Sequence, residues 1–145
     1  MPTVQKNALV RYSARQMFDL VDDIEAYPDF LPWCNGSRVL LRENAIVEAE
    51  LSVAYAGRFS HTFATRNTCI EGESISMTLL HGPFRSLEGI WRFEPITGEA
   101  SRISLDLRFE MAGTLTAMAF SPIFNQICNT LVEAFTARAK VIYGK

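Results

Sequence analysis

The residues that could do chemistry are few and scattered. There are two histidines, His61 and His81, and three cysteines, Cys34, Cys69 and Cys128. Acid–base or nucleophilic catalysis needs a histidine held by an orienting carboxylate or set beside a nucleophile. No nucleophile motif, metal-ligand spacing or glycine-rich phosphate loop accompanies either one, so His61 is expected on a strand surface and His81 in a loop. The cysteines form no C-x-x-C pair and read as reduced, mostly buried thiols of a cytoplasmic protein. Cys34 follows Trp33, but nothing beside it in sequence lowers a thiol pKa. Glu48 and Glu50 fall on the polar side of an alternating strand, where water solvates both. Arg66 offers five donors in a rigid fork. It stands mid-strand beside Asn67, open to a buried ion pair or to a ligand's carbonyl. This inventory points to binding rather than turnover, with no metal and no catalytic residue.

The element that must position any site is the helix expected over residues 114–143. Phe120, Phe124, Ile127, Leu131, Phe135 and Ala139 recur three or four apart and so share one helical face. Asn125, Asn129, Glu133, Thr136 and Lys140 fall largely elsewhere, and Gly144 follows the last turn as a C-terminal stop. Pro122 either kinks this helix or follows an N-cap Ser121 as its first residue.

Upstream, residues 4–10 read as a strand. Ser13 and Gln16 have capping-box spacing for a helix that buries Met17, Leu20, Val21 and Ile24. Asp22 and Asp23 sit where the helix dipole disfavours them, so that helix should be short. Residues 25–36 carry Pro28 and Pro32 yet are rich in apolar side chains, which predicts a second short helix or turn against the core edge. Strands follow over 37–42, 46–55, 58–70, 74–80, 84–94 and 101–110, with a tight turn at Ala56-Gly57 and a loop at His81-Gly82-Pro83. Residues 46–55 and 101–110 alternate cleanly, apolar to one side and polar to the other. Consecutive strands joined by short turns make an antiparallel meander with one wet face. Only the long helix can cover the other face, and the gap between them is where a ligand would go.

The chain has 145 residues, 48% hydrophobic and 21% charged, which suits one globular α+β domain over 1–145. A formal charge of -2 gives no overall attraction to DNA or to anionic lipid. No stretch reaches the ~20 apolar residues of a membrane span, so membrane contact is at most peripheral. Arg38, Arg42, Arg58, Arg138 and Lys140 are the cations available to an RNA-facing patch, and they form no dense run.

Three motifs resemble the coenzyme-Q-binding START-like family of the polyketide cyclase/dehydrase superfamily. They are Tyr27-Pro-Asp-Phe-Leu-Pro-Trp-Cys34, Gly82-Pro-Phe-Arg-Ser-Leu-Glu-Gly-Ile-Trp-Arg-Phe93 and Ala134-Phe-Thr-Ala-Arg-Ala-Lys-Val-Ile-Tyr-Gly144. The bacterial branch of ribosome association toxins, RatA, fits best, and Thr65-Arg66-Asn67 fits it too. The resemblance implies a START-like helix-grip fold, a curved antiparallel sheet of about seven strands round the C-terminal helix. It implies binding of ubiquinone or a similar isoprenoid lipid, held as a ligand rather than a cofactor and supporting respiratory electron transport. The alternative it carries is a toxin that binds the large ribosomal subunit and blocks subunit joining. Kinship of fold to polyketide cyclases adds an enzyme as a third possibility. Under the ubiquinone reading, Trp33, Arg66 and Trp91 are candidates for the quinone head. Phe63, Met77, Phe120, Phe124, Ile127, Leu131 and Phe135 would complete the cavity wall. The plainer reading of the same aromatics is ordinary core.

Overall fold

Alternating side chains build most of this molecule. The structure, a computed structural model, describes residues 3–55 and 59–144. The elements are β1 (Thr3–Val10), α1 (Ala14–Asp22), a 3-10 helix (Ile24–Asp29), β2 (Cys34–Glu43), β3 (Ile46–Tyr55), β4 (Phe59–Ile70), β5 (Ser74–His81), β6 (Phe84–Pro95), β7 (Ser101–Met111) and α2 (Leu115–Tyr143). The seven strands form one curved antiparallel sheet in the order β1-β7-β6-β5-β4-β3-β2. Only β1 is out of sequence: it crosses to the far edge and pairs Val4 with Leu107 and Val10 with Ser101. The turn expected at Ala56-Gly57 lies outside the described residues.

The apolar residues of each alternating strand lie beneath α2. Ile103, Leu105, Leu107 and Phe109 of β7 are all buried, as are Val47, Ala49 and Val53 of β3. From above, α2 supplies Phe120, Phe124, Ile127, Phe135 and Ala139, with Leu131 half-buried. These side chains make the main hydrophobic core, apart from Val47 and Ala49, which form a smaller cluster with Ile24.

Local signals in the sequence explain where the helices begin and end. Ser13 caps α1 in a capping box, with Gln16 N donating to Ser13 Oγ at 3.0 Å and Ser13 N to Gln16 Oε1 at 2.9 Å. The dipole penalty of Asp22 is answered from another element. Arg42 of β2 donates to the Asp22 carboxylate at 3.1 Å and to its carbonyl at 3.2 Å. α2 ends at Gly144, whose φ of 73° suits a residue without Cβ. Tyr143 then donates to the Gln16 carbonyl at 3.0 Å, tying the end of α2 to α1.

Several expectations need correcting. α2 has the extent expected, capped by Thr114, whose Oγ1 accepts from Ala117 N at 3.1 Å, and of the two readings of Pro122 only the start at Ser121 falls, since the helix runs through the proline. Pro122 is exposed, so its ring displaces no core side chain. β2 begins at Cys34, not residue 37, because register shifts at Cys34/Gly36 and Val39/Leu41 let an irregular segment stay paired with β3. His81 is the last residue of β5, not a loop residue.

Phe109 is fully buried and meets Phe84 and Phe124 edge-on. Phe109→Ala is expected to lower unfolding free energy by about 3–5 kcal/mol. Ser13→Ala, which removes one cap, is expected to lower it by about 1 kcal/mol. Urea unfolding followed by circular dichroism measures both.

Candidate functional site

A cavity of about 90 Å³ lies between the sheet and the middle of α2. It exists because small side chains fall opposite the helix there. Ala49 of β3 and Thr65 of β4 pair across their strands, and Cys128 is a short side chain on the α2 face. Gly89 of β6 lies between Met77 and Leu107 in the neighbouring strands. A Cβ at Gly89 would stand 2.5 Å from Leu107 Cδ1, so glycine is what allows these three strands to pack here.

Eight of the ten residues picked out from the sequence line this space. They are Trp33, Phe63, Met77 and Trp91 below, and Phe124, Ile127, Leu131 and Phe135 from α2. Phe120 is buried one turn beyond the cavity against His61, with ring centroids 4.4 Å apart and the rings tilted by 31°. His61 therefore faces α2 and is not the outward strand residue expected. Arg66 is corrected outright. It stands on the outer face of β4, exposed, in an ion pair with Glu48 at 2.8 Å. Side chains alternate along a strand, so with Phe63 inward, Thr65 and Asn67 point inward and Arg66 cannot.

Thr65 and Asn67 are thus the polar wall residues that sequence reasoning missed, and parity from Phe63 was the signal for them. Thr65 Oγ1 donates to Asn67 Oδ1 at 2.8 Å. Tyr27 also lines the cavity, with its hydroxyl donating to the Val21 carbonyl. A surface cleft of about 230 Å³ between Pro32 and Ile123 shares two walls with the cavity, Trp33 and Ile127.

The ionisable groups do not converge here. Glu48 and Glu50 are half-buried on the outer face, paired with Arg66 and with Arg38 at 3.1 Å. His81 lies 3.8 Å from Glu50 on that same face. Burial pushes the Cys34 thiol up, as it does the more deeply buried Cys128. Cys69 is pushed up to about 11, first by burial and then by the Asp22 charge, which its thiol meets at 3.9 Å. Among the described residues no group of His, Cys, Asp and Glu could hold a metal ion, and no helix is long and apolar enough to cross a membrane.

A helix gripped by a seven-stranded sheet over an apolar cavity matches a known family. Residues 10–136 match the family described as polyketide cyclase / dehydrase and lipid transport. The chain belongs to that family. Among relatives, it is 47% identical to the ribosome association toxin RatA of Pseudomonas aeruginosa over 141 residues, covering 97% of each chain. It is 30% identical to the mitochondrial coenzyme Q-binding protein COQ10 homolog B of Xenopus laevis, covering 97% of this chain and 59% of that one. Among solved structures, the Zhui aromatase/cyclase of Streptomyces sp. R1128 superposes with a TM-score of 0.82 at 16% identity, covering 97% of this chain and 95% of that one. A START superfamily protein of Mycobacterium smegmatis does so with 0.79 at 24%, covering 97% and 98%. At such identities the two structures speak for the fold alone.

The raised Cys69 pKa has a pH signature. A thiol that holds its proton longer when folded contributes stability that is fully present below its unfolded pKa and lost as pH rises through the folded one. Denaturation midpoints are therefore expected to fall between about pH 9 and about 11, with a shallower fall in Cys69→Ala. Urea melts across that range check it.

Proposed function

We propose that this protein is a ribosome association toxin, acting by binding the large ribosomal subunit and hindering subunit joining. The observation that carries this reading is the 47% identity, over nearly the whole of both chains, to a protein named for that activity. Charge placement supports it. Two cations of the patch expected from the sequence are charge-paired, Arg38 with Glu50 and Arg42 with Asp22, and a third, Arg138, is held over the Phe30 ring at 4.9 Å. Arg58 lies outside the described residues. The fifth of the expected cations, Lys140, instead joins Lys6 and Arg11 in lining a groove of about 610 Å³ between the edge strand β1 and α2. Among the described residues none of these three is in an ion pair, whereas Arg15, Arg66, Arg85, Arg92 and Arg108 all are. One carboxylate, Glu133, shares the groove. Unpaired cations along a groove suit an RNA backbone, even on a chain of net charge -2.

Co-sedimentation with large subunits is expected to weaken as salt rises. The triple variant Lys6→Ala, Arg11→Ala, Lys140→Ala should lower the slope of log affinity against log salt by about three. Overexpression should deplete joined ribosomes in sucrose gradients. Unchanged gradients, with no protein in the large-subunit fractions at low salt, would sink the reading.

A second reading has its own observation, the apolar cavity beneath α2. It is binding without turnover of a hydrophobic ligand, ubiquinone or a similar isoprenoid lipid. The likeness to a coenzyme Q-binding protein favours that ligand. At about 90 Å³ the cavity is smaller than the ~300–1,000 Å³ of drug-sized pockets. A lipid would thus place only its head inside, unless α2 lifts from the sheet. Organic extraction of the purified protein, followed by mass spectrometry, should release a quinone-headed lipid. A protein that carries no lipid and takes up no added ubiquinone would rule this reading out.

A further inference from the structure

The cavity is apolar on nearly every side, and Asn67 is the main exception. Asn67 is 7% exposed and lines the cavity. Its Oδ1 is occupied by Thr65 Oγ1. Among the described residues its Nδ2 donates to nothing, although amide N–H groups at such burial nearly always find an acceptor. Nor is that nitrogen sealed in protein. The side-chain atom that is both fully buried and unpartnered among the described residues is Ser86 Oγ. The Asn67 amide nitrogen is therefore not sealed in protein, and the residue that carries it lines the cavity. None of the described cavity walls is Asp, Glu, Lys, Arg or His. An ionised head would be buried there with no counter-charge, which costs far more than burying a neutral oxygen.

We infer that Asn67 is the specificity-determining residue of the cavity: its Nδ2 donates to a neutral carbonyl or ether oxygen on the head of an otherwise apolar ligand, and ionised heads are excluded. Thr65 is the positioning residue, holding the amide oxygen so that the nitrogen faces inward. The tail leaves between Trp33 and Ile127, the walls shared with the surface cleft. This rests on the reading of the cavity as a site for a hydrophobic ligand.

The test uses three probes of one length, 2-heptanone, n-heptane and heptanoate at pH 8. Binding to the intact protein is followed by calorimetry and by fluorescence of the cavity tryptophans. Asn67→Leu should weaken 2-heptanone by roughly three- to tenfold, the scale of one neutral hydrogen bond, and should not weaken n-heptane. Thr65→Val should act in the same direction. In the unmutated protein, which needs no variant to fold, the Asn67 side-chain amide resonance should shift with 2-heptanone and not with n-heptane. If both neutral probes bind but the variants and the resonance do not distinguish them, the role of Asn67 is overturned while the cavity reading stands. If neither neutral probe binds, the cavity reading falls and this inference with it. Heptanoate binding as tightly as 2-heptanone would overturn the exclusion of ionised heads.

Discussion

Phe124 fastens the helix to the sheet. Its ring meets Phe63 of β4 at 5.7 Å, Phe84 of β6 at 4.8 Å and Phe109 of β7 at 4.9 Å, each edge-on. Edge-to-face contacts of this kind are favourable beyond the area they bury. Eleven residues on, about 16 Å along the axis, Phe135 makes a second attachment, edge-on to Trp91 at 5.4 Å, Tyr27 at 5.4 Å and Phe30 at 5.3 Å. The helix is thus pinned at two points, and between them it passes over the small residues of β3, β4 and β6. The cavity lies in the span between the two attachments. Its size follows from helix length and from where the sheet is thin, without any element devoted to enclosing it.

The two functional readings use different sides of the same helix. Ile127 and Leu131 look into the cavity, while Asn129, Glu133 and Lys140 look into the groove beside β1. Helical geometry makes this division automatic, since residues two apart point to different sides. The groove and the cavity can therefore be altered separately. The two proposed functions need not share a residue, even though one helix carries both the groove and the cavity.

The sequence exposed this fold where periodicity is strong and concealed it where contacts are long-range. The alternation of β3 and β7 and the stripe of α2 placed the sheet, the helix and most of the cavity wall. Arg66 was misjudged because its chemistry was weighed before its parity. Counting by twos from Phe63 sends it outward and brings Asn67 in. Pro122 allowed two readings because a proline can start a helix or interrupt one. The Thr114 cap decided between them, through a contact that sequence does not display. Of the groove cations only Lys140 was named from the sequence, and its grouping with Lys6 and Arg11 was beyond reach. Lys6 and Lys140 line one groove only because β1 crosses to β7 and α2 returns over it, and no local pattern records that.

That crossing also sets an order on the ribosome. β1 is made early, but its partner β7 is translated about 90 residues later, and α2 only after that. Until β7 emerges, β1 has no neighbour in the sheet, and until α2 emerges the sheet's apolar face is uncovered. Such delayed, long-range pairing is slow and exposes sticky surface in the interval. Leu105, Leu107 and Phe109 therefore have no helical cover until Phe124 follows them out and packs onto the sheet.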